Sequence, residues 1–493
     1  MAGALAAAAA TTPDRVLLID GQVRLDCRTL HDEATALAHW LFARLPAGSV
    51  VSFMLPNWHH SAVIYLGATL AGMVVNPILP SLRHHELRYL LADCDSRMIF
   101  IPSTFRGHDY PAMLAQVCPA LPRPPEVVVV GDGLTLPAAD DPAALPAADP
   151  DAARLILYTS GSTGTPKAVL HSERSVRSLI GQIGRYWNIG PDARVLVASP
   201  IAHIGGSIYA FECPLFLSST AVLMDTWDGD RAVALMTEQR CTHMAGATPF
   251  LSGLLDAARR ADTRLPGLEV FICGGASVSP TLIRSATAYF DNVAVTRVYG
   301  STEVPVSTIG ALDNPERAAE SDGRPGVAEI TLVDSEIRVK GPQMMLGYLH
   351  PTDNAAAFDA DGYFRTGDLG TWTSDGYLVV TGRAKDLIIR NGENISPLEI
   401  EDLLAGHPDV IEAAVVGLPD QRTGERAVAV VVSRTALDVA ALQKFLASCG
   451  VARFKMPEQV VRWDALPKND AGKVLKHRIR AELQCTQTPI NAP

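Results

Sequence analysis

Short apolar segments alternate with amphipathic segments through the middle of this chain, and this alternation limits the possible folds more than any other feature. The strand candidates are Arg194–Ser199, Ala221–Met224, Leu268–Cys273 and Val293–Val298. The helix candidates are Ser207–Leu217, Arg231–Arg240, Thr248–Arg259 and Pro280–Tyr289. Strands that alternate with helices predict parallel sheets covered on both faces. The expected fold class is therefore α/β, with ligands at the carboxyl ends of the strands.

The pattern of segments changes after about Gly382. Two helix candidates and two strand candidates follow in a shorter, more charged stretch: Pro397–Ala405, Val439–Ser448, Ile411–Val416 and Arg426–Val432. A segment of that length is enough for a separate α+β domain. We therefore predict a large N-terminal domain over residues 1–382 and a small, mobile C-terminal domain over residues 383–493.

Composition excludes some functional classes. The net charge is −11 and the pI is near 5.6, which argues against a nucleic-acid partner. The eight cysteines are scattered without metal-ligand spacing, so reduced thiols in a cytoplasmic protein are expected. The alanine-rich start, Met1–Ala10, has no basic segment before it. It predicts neither a secretory signal nor a membrane span, and we expect a short frayed tail there.

A glycine-rich segment follows the apolar run Leu155–Leu157. Tyr158–Lys167 reads Y-T-S-G-S-T-G-T-P-K, which combines glycines, hydroxyl side chains and one lysine. Such a loop suits a polyphosphate, because its N–H groups and charge can approach an anion closely. The Walker A pattern fails, since Ala168 follows the lysine and no Gly-Lys pair exists. Taken alone, the segment is also compatible with a flexible surface turn.

Further motifs follow in a fixed order. Tyr299–Glu303 reads Y-G-S-T-E, and Tyr363–Gly370 reads Y-F-R-T-G-D-L-G. Gly382–Glu401 reads G-R-A-K-D-L-I-I-R-N-G-E-N-I-S-P-L-E-I-E, and Leu466–Lys473 reads L-P-K-N-D-A-G-K. Together with the glycine-rich loop, these motifs resemble those of the adenylate-forming superfamily of acyl-CoA ligases, luciferases and peptide-synthetase adenylation domains. The resemblance runs from about Thr29 to Ile479.

The resemblance implies ATP, Mg²⁺ and coenzyme A, and it assigns roles to particular residues. Lys473, Thr302 and Glu303 are the implied catalytic residues, with Glu303 also holding Mg²⁺, and His203 has a gating or positioning role. The implied ATP- and AMP-binding residues are Thr159, Ser160, Gly161, Ser162, Thr163, Gly164, Lys167, Gly275, Ala276, Tyr299, Gly300, Ser301, Thr302, Asp368 and Arg383.

The resemblance also implies that the small domain rotates between two half-reactions. Lys473 is expected at the substrate carboxylate during adenylation, and it has to leave before coenzyme A enters. Lys385 is the implied hinge, and Gly392 and Glu393 would then reach the side on which coenzyme A binds.

Residues near His203 restrict the range of acids that the protein is expected to bind. Amino-acid-activating relatives carry an aspartate where this chain has Ile204, and an apolar residue cannot satisfy a buried ammonium group. A further likeness to cyclohexanecarboxylate- and short-chain-type ligases implies an alicyclic, short- or medium-chain, or steroid-derived acid. The implied acyl pocket consists of Ile204, Gly205, Ala247, Cys273, Gly274 and Val304.

The acceptor and the assembly are expectations of the same kind. No carrier domain follows the small domain, so free coenzyme A is the expected thiol. The alternatives are a stand-alone adenylating enzyme that loads a carrier protein and a non-catalytic nucleotide-binding homologue. Luciferase-type oxidation ranks far below these. A homodimer is possible.

Overall fold

The computed structural model describes residues 1–131, 144–147, 149–159, 166–275, 278–469 and 472–487. Its α-helices span Ala2–Thr11, Cys27–Phe42, His59–Leu70, His84–Asp93, Tyr110–Val117, Glu173–Tyr186, Ile204–Ser207, Cys213–Leu217, Gly229–Glu238, Thr248–Arg260, Pro280–Tyr289, Pro315–Glu320, Pro351–Asn354, Pro397–Leu404, Val439–Ser448 and Lys476–Gln487. Shorter helical turns span Cys118–Ala120, Ile208–Glu212, Ala384–Asp386 and Arg453–Lys455. Within these described ranges, no helix combines the length and apolar character that crossing a bilayer requires.

The first sheet has seven strands, in the spatial order Ala294–Val298, Val270–Gly274, His243–Gly246, Arg194–Val197, Thr220–Leu223, Val16–Asp20 and Val23–Asp26. Successive strands run parallel except for Val23–Asp26, which is an antiparallel edge strand. Four of these strands are the predicted ones, with ends that differ by one or two residues. The predicted α/β architecture with parallel sheets is confirmed.

The second sheet also has seven strands, in the order Gly347–Tyr348, Lys167–Ser172, Ala153–Thr159, Val74–Pro77, Val50–Phe53, Ser96–Pro102 and Glu126–Val130. The last five run parallel to one another, and the first two are antiparallel additions. Lys167 pairs with Thr159 across the antiparallel hairpin. The glycine-rich segment therefore joins two neighbouring strands, and both of its ends lie at one edge of the sheet.

The main hydrophobic core lies between these two sheets. It contains Leu18 and Val195 from the first sheet and Phe53 and Val75 from the second, together with side chains of the helices between the sheets. A second cluster covers the other face of the first sheet, and a third covers the other face of the second sheet. Coverage on both faces explains why the strands are apolar along their whole length rather than alternating.

A buried charged group lies inside this core. The Arg154 guanidinium is 3.1 Å from Glu212 Oε1 and donates to Tyr65 Oη at 3.1 Å. Tyr65 in turn donates its hydroxyl proton to Glu212. Because both charges are paired and hydrogen-bonded, the burial penalty is offset. Glu212 lies within the helical stretch that starts at Ile204, so this ion pair ties that stretch to the second sheet.

The start of the chain differs from the expectation. Residues Ala2–Thr11 form a helix, with Met1 and Leu5 buried in the main core and the Met1 amino group donating to Glu173. The prediction of a frayed tail is wrong, because an alanine-rich segment has high helix propensity and its few larger side chains reach the core.

Two antiparallel sheets complete the fold. One has the order Glu329–Val333, Glu336–Lys340, Phe364–Trp372 and Leu378–Arg383. The other contains Glu393–Ile395, Ile388–Arg390, Gly424–Ser433 and Val410–Asp420, with Gln459–Arg462 parallel to Gly424–Ser433. Small two-stranded ribbons pair Thr308–Ile309 with Arg324–Pro325 and Thr104–Phe105 with His108–Asp109.

The C-terminal sheet has its own core. Helices Pro397–Leu404 and Val439–Ser448 pack on one face, and helix Lys476–Gln487 packs on the other. The strand Leu378–Arg383 ends where the turn Ala384–Asp386 begins. The domain boundary at 382/383 and the hinge at Lys385 stay predictions.

Candidate active site

The motif residues of the first sheet lie beyond the carboxyl ends of its parallel strands. His203 follows strand Arg194–Val197, Ala247 follows His243–Gly246, and Tyr299 follows Ala294–Val298. Because parallel strands end at a common edge, these loops gather on one side of the sheet. Six predicted residues lie outside the described ranges: Ser160, Gly161, Ser162, Thr163, Gly164 and Ala276.

Tyr299, Asp368 and Arg383 form one hydrogen-bonded group. Tyr299 donates its hydroxyl proton to Asp368 Oδ2 at 2.9 Å, and Arg383 Nε lies 2.6 Å from Asp368 Oδ1. Asp368 and Arg383 face each other across paired antiparallel strands. Asp368 is only 6% exposed, so its carboxylate is held by a tyrosine and an arginine in a nearly dry position. Such a fixed acceptor suits two neighbouring hydroxyl groups of a ribose.

Lys473, in the C-terminal part of the chain, is affected by the charges of Asp368 and Arg383. Burial, followed by the positive charge of Arg383, lowers the pKa of Lys473 to about 8, while the carboxylates of Asp368 and Asp386 oppose the shift. The Lys473 N–H donates to Asn469 Oδ1 at 2.8 Å, which fixes the turn before it. The ammonium group of Lys473, in the small domain, is therefore subject to the charges of Asp368 and Arg383.

The turn that carries Lys473 is packed closely against the first sheet's loops. Gly472 has a φ of +79°, and a Cβ placed on it would lie 2.7 Å from Pro249 Cγ. Pro249 belongs to the first turn of helix Thr248–Arg260. Glycine is needed at this position both for the left-handed backbone and for the close approach. This contact sets how near Lys473 comes to the site.

The loop with Thr302 and Glu303 is held by its own backbone and by a buried histidine. Ser301 N–H donates to Val304 O at 3.2 Å, and a Cβ on Gly300 would lie 2.6 Å from Val306 N. His171 Nε2 lies 2.7 Å from Thr302 O. Burial lowers the pKa of His171 to about 4, so the neutral ring donates to that carbonyl.

Sequence reasoning missed His171, although a histidine directly after the apolar run Ala168–Leu170 was a usable signal. It also missed Tyr348, whose hydroxyl donates to Glu303 Oε1 at 2.9 Å. Lys167 Nζ lies 4.9 Å from the Tyr348 ring centroid and 3.1 Å from Asp353 Oδ1. The structure thus brings both Lys167 and Glu303 into contact with one tyrosine, Lys167 at the ring face and Glu303 at the hydroxyl.

Comparisons with known proteins identify the family. The family profile of AMP-binding enzymes matches residues 5–349, and that of the AMP-binding enzyme C-terminal domain matches residues 399–473. The chain belongs to the AMP-binding enzyme family. The predicted membership of the adenylate-forming superfamily is confirmed.

Two similar relatives are named as coenzyme A ligases. The medium-chain fatty-acid–CoA ligase of Escherichia coli is 31% identical, with 96% of this chain and 88% of that protein covered. A Rhodococcus jostii 3-[(3aS,4S,7aS)-7a-methyl-1,5-dioxo-octahydro-1H-inden-4-yl]propanoyl:CoA ligase is 32% identical, with 97% and 98% covered.

Solved structures of one similar protein differ in how well they match. ATP-bound MatB from Rhodopseudomonas palustris gives a TM-score of 0.86 at 28% identity, with 99% of this chain and 100% of that chain covered. The apo form of MatB gives a TM-score of 0.75 over the same shares of the two chains. The arrangement of this AMP-binding enzyme is closer to the ATP-bound form.

A magnesium ion fits this site as a companion of the nucleotide. No cluster of three potential ligand side chains occurs within the ranges that the structure describes. Glu303 supplies one carboxylate there, with its Oε1 already bonded to Tyr348. Because Mg²⁺ is commonly held by one or two carboxylates plus substrate phosphates, this single carboxylate suits an ion that arrives with ATP.

The residues predicted for the acyl pocket belong to different hydrophobic clusters. Ala247 and Cys273 are buried together in the cluster on the outer face of the first sheet. Val304 packs instead with Tyr348 and Ile337. Burial raises the pKa of Cys273 to about 12, so its thiol is inert. Their role in acid binding stays a prediction.

His203, Ile204 and Gly205 lie at a helix start, whereas Gly274 ends the strand Val270–Gly274. The His203 carbonyl accepts from Gly206 and Ser207 N–H groups at 2.9 Å. Ile204 is partly buried against the main core, and Gly205 is exposed. Gly274 packs tightly, since a Cβ on it would lie 2.5 Å from Val298 Cγ1.

The predicted coenzyme A side of the small domain is exposed. Gly392 lies in a two-residue turn between paired strands, where Asn391 and Gly392 have φ values of 52° and 82°. Gly392, Glu393 and Lys385 are all exposed, whereas Lys473 is not. This arrangement fits the adenylating half of the predicted cycle.

Proposed function

We propose that this protein is an ATP-dependent carboxylic acid:CoA ligase that works through an acyl-adenylate. Both relatives are named as CoA ligases, the class expected from the motifs. The proposal is supported most by Lys473: its neighbour Gly472 packs against Pro249 of the large domain, and its pKa is affected by Arg383 and Asp368.

In the first half-reaction, the acid's carboxylate oxygen attacks the α-phosphorus of ATP. The bond to pyrophosphate breaks and an acyl-AMP is formed. Two anions have to approach, so cationic groups at the point of contact lower the barrier. Lys473 supplies one such charge, and Lys167 supplies another at the departing pyrophosphate. A magnesium ion bound with ATP would neutralise further phosphate charge beside Glu303.

The nucleoside half of ATP would be held by the hydrogen-bonded group. Asp368 has lone pairs left for ribose hydroxyls beyond those used by Tyr299 and Arg383. Tyr299 is partly buried and would offer a flat face to the adenine. The carbonyl of Thr302 is held by His171, and the Thr302 hydroxyl would donate to the α-phosphate.

In the second half-reaction, the coenzyme A thiol attacks the acyl carbonyl, a C–S bond is formed and AMP leaves. This step requires Lys473 to withdraw, and the exposed hairpin with Gly392 and Glu393 would replace it. The turn at Lys385 is the proposed hinge.

The acid we propose is alicyclic, short- to medium-chain or steroid-derived. Ile204, Ala247 and Gly205 are small or apolar and offer no partner for a substrate ammonium group. One relative is named for a medium-chain fatty acid and the other for a bicyclic propanoate. Both kinds of acid carry a carboxylate on an otherwise weakly polar body.

The test is a mass-spectrometric panel. Purified protein, ATP, Mg²⁺ and coenzyme A are mixed with pooled alicyclic, short-chain, medium-chain, aromatic and steroid-derived acids, and acyl-AMP and acyl-CoA are read separately. One dominant acyl-CoA supports the proposal and names the acid class. Acyl-AMP without acyl-CoA supports the carrier-protein alternative. If none of the pools gives a product, ligase activity on these acids is contradicted.

A further inference from the structure

Tyr348 contacts both charged residues at the polyphosphate end of the site. Its hydroxyl donates to Glu303 Oε1 at 2.9 Å, and Lys167 Nζ lies 4.9 Å from its ring centroid. Tyr348 itself is 8% exposed, whereas the Lys167 side chain is 26% exposed. Burial, followed by the negative charge of Glu303, raises the pKa of Tyr348, which keeps its hydroxyl a donor.

The position of Tyr348 does not depend on its hydroxyl. Its backbone pairs with Val169 in the second sheet. Its N–H donates to Asn354 Oδ1 at 2.8 Å, and its carbonyl accepts from Asn354 Nδ2 at 3.2 Å. The ring packs with Val169 and Val304 in one cluster. Because strand pairing, the Asn354 clamp and ring packing already fix the residue, the hydroxyl bond to Glu303 is available for a functional role.

We propose that Tyr348 is a positioning residue that orients the Glu303 carboxylate toward a nucleotide-bound divalent cation. A carboxylate turns freely about its terminal bond unless one oxygen is held. The hydrogen bond to Oε1 removes that freedom and leaves Oε2 for the cation. The inference rests on the proposed function, because it needs ATP with its metal at this site.

The same ring also sets where the phosphate-binding charge lies. Lys167 is attracted to the ring face while Asp353 holds its ammonium group on the other side. Phenylalanine keeps that ring face and removes only the hydroxyl. Tyr348→Phe therefore separates the effect on Glu303 from the effect on Lys167.

The experiment measures ATP binding by calorimetry without acid, so that no turnover occurs. Each protein is titrated with ATP in EDTA and again at a series of Mg²⁺ concentrations. For Tyr348→Phe we expect unchanged affinity in EDTA and about tenfold weaker affinity in saturating Mg²⁺, the size of one hydrogen bond to a charged group. The Mg²⁺ concentration for half-maximal effect rises as well.

The chain offers a closely matched control. Tyr363 donates its hydroxyl proton to Glu329 Oε2 at 3.1 Å and has Lys340 Nζ 5.6 Å from its ring centroid. Tyr363→Phe removes the same kind of bond at an exposed place outside the site. It is expected to match the parent protein in both titrations, and thermal unfolding shows whether either variant is folded.

A double-mutant cycle with Glu303→Gln tests the coupling directly. If Tyr348 acts through the Glu303 carboxylate, Tyr348→Phe has no further effect on Mg²⁺-dependent binding in the Glu303→Gln background. Equal affinities of Tyr348→Phe and the parent at every Mg²⁺ concentration would overturn the inference. Equal losses with EDTA and with Mg²⁺ would also overturn it. If the parent protein itself does not bind ATP, the proposed function fails instead.

Discussion

The lowered pKa of Lys473 predicts a specific pH dependence of adenylation. The pKa is about 8, whereas an ordinary lysine has a pKa of 10.5, and burial is the largest cause. Adenylation needs the charged form, because the lysine neutralises two approaching anions. Adenylation activity is therefore present below pH 8 and is lost as the pH rises through that value.

The two pKa values give the size of the expected loss in adenylation activity. With a pKa near 8, about nine-tenths of Lys473 is charged at pH 7 and about one-tenth at pH 9. The value of kcat/KM for ATP, which reports the free enzyme, should therefore fall about tenfold between those pH values. A lysine of ordinary pKa would lose only about 3% of its charge over the same interval.

The assay is acid-dependent pyrophosphate release without coenzyme A, so that the titration of the thiol plays no part. The descending limb of kcat should lie at higher pH than that of kcat/KM, because bound ATP is an anion and raises the lysine pKa. Arg383→Gln removes a positive neighbour of Lys473 and should move the kcat/KM limb to higher pH.

Two further variants test whether the loss of activity near pH 8 comes from Lys473. Lys473→Arg keeps the charge throughout, so any activity it retains should show no limb near pH 8. Lys468→Arg, a change at an ion pair with Glu412 in the same motif, is the control and should keep the parent profile. A flat kcat/KM profile from pH 7 to 9 in the parent, or an unchanged limb in Lys473→Arg, would refute the reasoning.

Three other perturbations have defined outcomes. Asp353→Asn removes the carboxylate that pairs with Lys167 at 3.1 Å, so ATP should bind a few-fold tighter by calorimetry; weaker binding would contradict a competing role for Asp353. Lys385→Pro restricts the proposed hinge, so pyrophosphate release should persist while thioester formation from supplied acyl-AMP falls; an unaffected second step means that the hinge lies elsewhere. Gly472→Ala places a Cβ 2.7 Å from Pro249 Cγ at a φ of +79°, so pyrophosphate release should fall while thioester formation from acyl-AMP is kept; equal losses in both steps would mean that the small domain is generally damaged.

Much of the fold was predictable because its signals are local. The four strand candidates between residues 194 and 298 are found with ends shifted by one or two residues, since buried parallel strands are continuously apolar. The helix candidate Ser207–Leu217 is instead the last part of three consecutive helical segments that start at Ile204. Helix Pro280–Tyr289 was predicted with its observed ends. The N-terminal helix was not predicted, because an alanine-rich segment without larger periodic side chains gives a weak amphipathic signal.

The site was predictable only in part. Tyr299, Asp368, Arg383 and Lys473 were found by their motifs, and the structure brings them together. Tyr348, Asp353 and His171 were missed, since each acts through a partner far away in the chain. His171 is 131 residues from Thr302, and Tyr348 is 45 residues from Glu303.

The sequence by itself determined the α/β class, the order of the motifs and the kind of charge each motif carries. Those properties depend on residue type and on spacing over a few positions. Only the tertiary structure decided which side of the small domain meets the large one. Gly472 packs against Pro249 in that arrangement, and Lys473 is affected by the charge of Arg383, 90 positions earlier in the chain. The lowered pKa of Lys473 results from this placement, because burial and neighbouring charge are properties of the folded chain.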